Sequence, residues 1–280
     1  MKHSSPLVSA AWLKENLSAP DVRVVDATWM PPFLVGRTSG RDQYSSGHIP
    51  GAVFFDIDDI ADPDTELSHM LPDPILFSSR ARKLGLGDGN HIVVYDNNGF
   101  FASARVWWMF RAMGHRDISV LDGGYKAWLA AGGDVEDLPP TVTERHYTAR
   151  MRADLVRNRA EVKAASDSGS ETILDARSSG RFDGTQPEPR EGLPSGHIPG
   201  SYSVPVETLI GPDGKMMPQD ALQDLLASYA GKPIVTTCGS GVSAAVIALA
   251  LAQIGNHDAA VYDGSWSEWG AHPESAIATS

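Results

Sequence analysis

The chain contains an internal repeat, which limits its possible architectures more than any other feature of the sequence. VVDATW around Asp26 returns as ILDARS around Asp175, and GHIPG at Gly47 returns as GHIPG at Gly196. The same number of residues separates the two copies of each motif. Two further pairs follow in the same order, HIVVYD with PIVTTC and LDGGYKAW with YDGSWSEW. The sequence therefore predicts two copies of one fold.

Each copy alternates short β-branched runs with helical stretches, which is typical of a parallel sheet covered by helices on both faces. We predict an α/β fold with two such domains, at residues 1–135 and 151–280. Residues 136–150 are polar, contain proline and lack the period of a buried face. We interpret this segment as the linker between the domains.

The charge of the chain argues against two classes of partner. Lys and Arg number 23 against 35 Asp and Glu, giving a formal net charge of -12, and no long basic run interrupts this acidity. We therefore expect no binding to nucleic acid or to a membrane. The first residues contain no apolar run of signal-peptide length, so we expect a cytoplasmic protein.

Cys238 is the only cysteine in the sequence, which rules out an internal disulfide and a cysteine-based metal site. We predict neither a metal nor a cofactor. Cys238 ends the apolar run PIVTTC and is followed by GSGVSAAVIALALA, so a glycine-rich loop connects a strand to a helix. Ligands of open α/β sheets bind at the edge formed by the carboxyl ends of the strands, which is where Cys238 lies.

The glycines of this loop bear on whether Cys238 is a buried structural thiol or a reactive one. Gly239 and Gly241 allow the backbone to curl, so that several N–H groups point at one atom. Together with the positive end of the following helix, such a cradle stabilises a thiolate or a persulfide anion. We therefore favour a reactive thiol, and we predict that Gly239, Gly241 and Val242 take part in substrate binding.

Several motifs together resemble the tandem rhodanese family, in particular its 3-mercaptopyruvate sulfurtransferase branch. They are CGSGVSA from Cys238, the two GHIPG motifs, the two DG[GS]xxxW motifs and PEPR ending at Arg190, and the resemblance covers nearly the whole chain. It implies that Cys238 takes sulfur from a donor as a persulfide and passes it to cyanide or to a thiol such as thioredoxin. It also implies a silent first copy, and Asp96 stands where that copy would carry the cysteine.

The loop composition bears on the identity of the donor. Thiosulfate-using relatives place basic residues directly after the cysteine, whereas Gly239 and Ser240 occupy those positions here. The resemblance assigns Arg181 and Arg190 to the carboxylate and keto oxygen of 3-mercaptopyruvate, which suit planar guanidinium groups. The alternative is that these arginines form weak, exposed ion pairs with Asp183, Glu188 or Glu191.

Pyruvate leaves such a reaction as an enolate that needs a proton, and Ser240 and Ser243 are the nearby hydroxyls. The family usually has threonine at the position of Ser243. The resemblance also suggests a relay from Asp42 and His48 to Ser240. His197 repeats His48 in the second copy, however, and this favours a structural role of the histidine in both turns.

Other conspicuous residues have structural interpretations. Trp266 and Trp269 follow the final strand, and we expect them to pack against the helix after the cysteine loop. Asp26 and Asp175 recur at strand ends in both copies, and we interpret them as turn residues.

Three alternatives to a 3-mercaptopyruvate sulfurtransferase are open. The nearest is a thiosulfate:cyanide sulfurtransferase. A cysteine-dependent phosphatase is disfavoured, because CGSGVS is short and has no arginine to close the loop. The third is a non-catalytic module in which Cys238 senses oxidants or binds a partner.

Overall fold

The computed structural model describes residues 5–31, 34 and 36–280. The chain divides into two compact units. The first comprises the chain up to Pro63, together with Leu71–Arg152 and Pro212–Lys215. The second comprises Asp64–Met70, Ala153–Gly211 and Met216–Ser280.

The first unit contains a five-stranded sheet in which every pairing is parallel. Its strands are β1 (Leu7–Val8), β2 (Val22–Asp26), β3 (Val53–Phe54), β4 (His91–Tyr95) and β5 (Ile118–Leu121). Its helices are α1 (Ala10–Asn16), α2 (Gly40–Ser46), α3 (Ile57–Ile60), α4 (Pro74–Lys83), α5 (Ser103–Ala112) and α6 (Gly124–Ala130). The strands lie side by side in the order β1-β5-β4-β2-β3.

Helices cover both faces of this sheet. Leu13 of α1 and Trp128 of α6 pack in one cluster with Val24 and Tyr95 of the central strands. Neighbouring strand residues such as Val94 point to the opposite face, where α5 lies against β4 and β5. The predicted two-faced parallel sheet is therefore confirmed for the first unit.

The second unit repeats this architecture. Its strands are β6 (Val156–Arg157), β7 (Thr172–Asp175), β8 (Tyr202–Ser203), β9 (Ile234–Thr237) and β10 (Ala260–Tyr262). Its α-helices are α7 (Arg159–Ser168), α8 (Ser179–Phe182), α9 (Gln219–Leu226), α10 (Ala244–Gln253) and α11 (Ser265–Trp269), with short 3₁₀ helices at Ala153–Leu155, Val206–Leu209 and Ala227–Tyr229. The parallel strand order β6-β10-β9-β7-β8 matches that of the first sheet, so the repeat in sequence is a repeat in structure.

The packing of the second unit corrects one expectation. Trp266 and Trp269 lie in a cluster with Val162 of α7 and with Val235 and Tyr262 of the sheet. Helix α10 contacts β9 and β10 from the other face, and its residues from Ala244 to Ala252 are all buried. The expectation that the tryptophans pack against the helix after the cysteine loop was wrong, because α11 follows β10 on the face of the sheet opposite to α10.

Local sequence explains where the helices begin. Asp73 accepts hydrogen bonds from the N–H groups of Ile75 and Leu76 at the start of α4, and Pro74 occupies the first helical position, where its missing N–H costs nothing. Asn158 and Glu161 form a reciprocal capping box at the start of α7.

Residues 136–150 contain no helix or strand, but they are not a free tether. Tyr147 is buried, and its carbonyl accepts a hydrogen bond from Arg82 Nε at 2.9 Å. The N–H of Arg150 donates to the carbonyl of Met113 at 2.8 Å. The segment therefore packs as part of the first unit. No helix in the described part of the chain is long and apolar enough to cross a membrane.

Candidate active site

The cysteine loop connects β9 to α10 in the second unit. Cys238 directly follows β9, and only 2% of its surface is exposed. Gly241 has a φ of +76°, a left-handed conformation that favours glycine. Ser240 and Val242 are buried and Ser243 is half-buried at the start of α10. The predicted strand-to-helix loop is thus present around Cys238.

The backbone of Cys238 is held by the start of α11. Its N–H donates to Ser265 Oγ at 3.2 Å, and the Ser265 hydroxyl donates to the carbonyl of Tyr262 at 2.8 Å. The N–H of Trp266 donates to the carbonyl of Cys238 at 3.0 Å. Ser265 is fully buried and has a φ of +48°, a strained conformation for a residue with a Cβ. Ser265 therefore positions the cysteine, a role that the sequence did not reveal. The glycine at the equivalent position of the first copy, Gly124, could have indicated a left-handed backbone at this point.

The two predicted substrate-binding arginines converge on this loop. A Cβ added to Gly239 would lie 3.2 Å from Arg181 Nη2 and 3.2 Å from Arg190 Nη1. Arg190 Nη2 donates to Ser240 Oγ at 3.0 Å. The absence of a side chain at Gly239 thus allows both guanidinium groups to approach the backbone beside Cys238.

The electrostatic environment of Arg190 links it to the cysteine. Burial lowers the pKa of the Arg190 guanidinium, and the charge of the Cys238 sulfur acts in the opposite direction. Arg181 lowers this pKa further, while Glu188 raises it. Arg190 is therefore within electrostatic reach of Cys238.

A buried ion-pair network lies behind the arginines. Arg177 Nη2 contacts Asp175 Oδ2 at 2.7 Å, and Arg177 Nη1 contacts Glu188 Oε1 at 2.8 Å. The Arg177 guanidinium also lies 4.1 Å from the ring centroid of Trp266. Asp175, interpreted from the sequence as a turn residue, accepts the N–H of Arg177 at 3.0 Å and also anchors its side chain. No sequence motif singled out Arg177.

The equivalent loop of the first unit shows what such a backbone binds. The carboxylate of Asp96 is buried and accepts hydrogen bonds from four backbone N–H groups. Oδ1 accepts from Asn98 and Phe100 at 3.2 Å each, and Oδ2 accepts from Ala102 at 3.0 Å and Ser103 at 2.8 Å. This loop is an anion cradle, filled by the side chain that replaces the cysteine.

His48 lies in the first unit and is fully buried. Its ring stacks on Tyr44 with centroids 3.9 Å apart, and Nδ1 lies 2.8 Å from the Tyr44 carbonyl. His197 likewise stacks on Phe182 and pairs through Nδ1 with the Phe182 carbonyl. These shared contacts support a structural role in both turns.

One atom of His48 distinguishes it as a candidate for proton transfer. Its Nε2 makes no hydrogen bond with any described residue and lies 3.7 Å from Glu136 Oε1. Asp42 lies exposed in the first turn of α2. Participation of His48 and Asp42 in a relay with Ser240 stays a prediction.

Across the described ranges, no group of three or more His, Cys, Asp and Glu residues has a geometry that could hold a metal ion. The groups that the structure brings together around the cysteine loop are the Cys238 thiol, the guanidinium groups of Arg181 and Arg190, and the hydroxyl of Ser240.

Comparisons with known proteins agree with this geometry. The model of the rhodanese-like domain matches residues 9–131 and 158–272. The chain is 38% identical to rat 3-mercaptopyruvate sulfurtransferase over 282 residues, covering 97% of this chain and 94% of the relative. It is 39% identical to rat thiosulfate sulfurtransferase over 283 residues, with the same coverage.

A crystal structure from Escherichia coli, described as a 3-mercaptopyruvate sulfotransferase with the rhodanese fold, superposes with a TM-score of 0.85. It is 35% identical in sequence, and the match covers 94% of this chain and 99% of the other. The chain therefore belongs to the rhodanese family and is a tandem-domain sulfurtransferase of the 3-mercaptopyruvate and thiosulfate sulfurtransferase group.

Proposed function

We propose that this sulfurtransferase takes its sulfur from 3-mercaptopyruvate and carries it as a persulfide on Cys238. The observation that carries the proposal is the convergence of Arg181 and Arg190 on Gly239, directly beside the cysteine. Two planar cations beside the residue that follows the cysteine suit the carboxylate and keto oxygen of an α-keto acid.

The first half-reaction transfers the sulfur atom. The thiolate of Cys238 attacks the sulfur of 3-mercaptopyruvate, an S–S bond forms, and the C–S bond breaks with its electron pair moving onto the substrate. The products are a Cys238 persulfide and the enolate of pyruvate. The enolate takes one proton, which the persulfide releases, and leaves as pyruvate.

Hydroxyl groups near the cysteine are proposed to assist this proton transfer. Ser240 Oγ accepts a hydrogen bond from Arg190 at 3.0 Å, and a hydroxyl that accepts still has its own hydrogen to donate. Ser243 at the start of α10 supplies the second hydroxyl, and we retain His48 as a candidate proton relay. Gly239, Gly241 and Val242 are proposed to hold the outer sulfur of the persulfide through backbone N–H groups.

The second half-reaction regenerates the thiolate. An acceptor attacks the outer sulfur of the persulfide anion, the S–S bond breaks, and Cys238 leaves as the thiolate. Cyanide would give thiocyanate, and a thiol such as thioredoxin would give a new persulfide. We propose these acceptors and a cytoplasmic location on the basis of the sequence.

Thiosulfate is the second candidate donor. The chain is as similar to a thiosulfate sulfurtransferase as to a 3-mercaptopyruvate sulfurtransferase. The loop positions after Cys238 are neutral, but two guanidinium groups lie against them, so the site has positive charge that thiosulfate could also use.

The test compares the two donors with cyanide as the acceptor and Cys238→Ser as the blank. We expect kcat/KM for thiocyanate formation to favour 3-mercaptopyruvate by at least about tenfold, or roughly 1.4 kcal/mol in the transition state. A preference for thiosulfate would refute the donor assignment while leaving the persulfide chemistry. Transfer by Cys238→Ser at the wild-type rate would refute the role of the cysteine.

A further inference from the structure

A buried carboxylate lies between two of the arginines in the second unit. The side chain of Glu188 is 1% exposed. Its Oε1 accepts from Arg177 Nη1 at 2.8 Å and from Arg181 Nε at 3.0 Å. Its Oε2 accepts from Arg181 Nη2 at 2.6 Å. Arg181 thus presents a bidentate edge to Glu188, the strongest pairing that a guanidinium makes.

The position of Glu188 is set from behind by Arg177. Arg177 is itself fixed by the carboxylate of Asp175 and by the carbonyl of Gly196, to which its Nη2 donates at 2.7 Å. Because these partners are buried, Glu188 cannot rotate away from Arg181 without leaving Arg177 partly unpaired. The carboxylate is therefore a fixed negative charge next to a substrate-binding arginine.

We define the arginine cluster as Asp175, Arg177, Arg181, Glu188 and Arg190. It contains three positive and two negative groups, so one positive charge is left over. That charge belongs to Arg190, whose hydrogen-bond partner is the neutral hydroxyl of Ser240. Burial lowers the pKa of Arg190, and the Cys238 sulfur and Glu188 oppose this effect. The negative group outside the cluster that acts on Arg190 is therefore the sulfur of Cys238, which is the same for both donors.

We propose that Glu188 determines which donor charge the site accepts. By neutralising Arg181 it leaves a single excess positive charge, which matches the one carboxylate of 3-mercaptopyruvate and undercompensates the dianion thiosulfate. This inference rests on the proposed function and assigns its specificity to a residue outside the cysteine loop. Glu188 acts through the arginines, so it is a specificity-determining residue and not a catalytic one.

The test is the ratio of kcat/KM for thiosulfate to kcat/KM for 3-mercaptopyruvate in Glu188→Gln. Glutamine has nearly the same shape and keeps one oxygen for Arg177, but it raises the excess charge of the cluster from one to two. The added charge attracts a dianion more strongly than a monoanion, so the ratio should rise at least about fivefold. General damage to the site lowers both values and cancels in the ratio.

Two control variants separate charge from shape. Glu188→Asp keeps the charge but shortens the side chain, so both kcat/KM values should fall with the ratio within about twofold of the wild type. Glu191→Gln makes the same charge change at an exposed position next to Arg190, and its ratio should also stay near the wild type because exposed charges are screened. If Glu188→Gln gives the same ratio as these controls, the inference is refuted.

A further variant covers the case in which Glu188→Gln does not fold, as judged by circular dichroism and cooperative melting. Glu188→Ala makes the same charge change and leaves room for water to solvate Arg177 and Arg181, so the ratio should again rise at least about fivefold, and an unchanged ratio refutes the inference. The two proposals remain distinguishable. A wild type that prefers thiosulfate refutes the proposed donor, while the shift in Glu188→Gln still supports the role of Glu188; a wild type that uses neither donor refutes both.

Discussion

Replacement of Asp96 by asparagine should destabilise the first unit strongly. The carboxylate accepts four backbone N–H groups, two on each oxygen. An amide of the same shape keeps one oxygen, so in either orientation its NH₂ group faces two of these N–H donors. Each buried donor without an acceptor costs about 1–3 kcal/mol, which gives about 2–6 kcal/mol for the variant.

The assay for Asp96→Asn is urea unfolding followed by tryptophan fluorescence and by circular dichroism. A loss of this size is a large part of the roughly 5–15 kcal/mol that stabilises a typical domain. The unfolding of the first unit should therefore move clearly to lower urea concentration. Asp137→Asn is the matched control, because Asp137 is an exposed carboxylate of the same unit. A free energy of unfolding for Asp96→Asn within about 0.5 kcal/mol of this control would show that the loop is not an anion cradle.

Three further predictions follow from the second unit and from a buried histidine. Ser265→Ala removes the acceptor of the Cys238 N–H, so kcat/KM should fall about tenfold. Because Ser265→Ala keeps a Cβ at φ +48°, Ser265→Gly should be more stable in urea than Ser265→Ala by about 1 kcal/mol. Equal stabilities of these two variants would contradict the strain at this residue. Ser243→Ala should lower kcat for 3-mercaptopyruvate while Ser243→Thr keeps it, and equal losses would exclude the hydroxyl. Burial lowers the pKa of His115 below the ordinary 6.5. The unfolded chain therefore binds this proton at a higher pH than the folded chain, so stability is lost as the pH falls below about 6.5. His115→Gln should lose less stability between pH 7 and 5 than the wild type, and equal losses in urea titrations would refute this.

The fold and the centre of the site could be predicted from the sequence. The paired motifs around Asp26 and Asp175 predicted two equivalent sheets, and both sheets have the same parallel order. The glycines after Cys238 predicted a loop between a strand and a helix, which the structure contains. The arginines were assigned by resemblance, and Arg181 and Arg190 do converge on Gly239.

The predictions that failed or were incomplete concern contacts between distant segments. Trp266 and Trp269 were expected on the face of α10, but they pack on the opposite face with α7. Glu188 was considered as an exposed partner of the arginines, whereas its side chain is buried and joins Arg181 to Arg177. Neither the burial of a carboxylate nor the face of a sheet is encoded in a short sequence motif.

The sequence alone determined that this chain has two similar α/β units and a glycine-rich loop after its cysteine, because repeats, apolar periods and glycine positions are local properties of the chain. Only the tertiary structure decided that Ser265 holds the Cys238 backbone, that the Asp96 carboxylate fills its own cradle, and that Glu188 neutralises Arg181. The physical reason is that these interactions act over about 3 Å in space between groups whose approach depends on the register of the strands and on the packing of the helices.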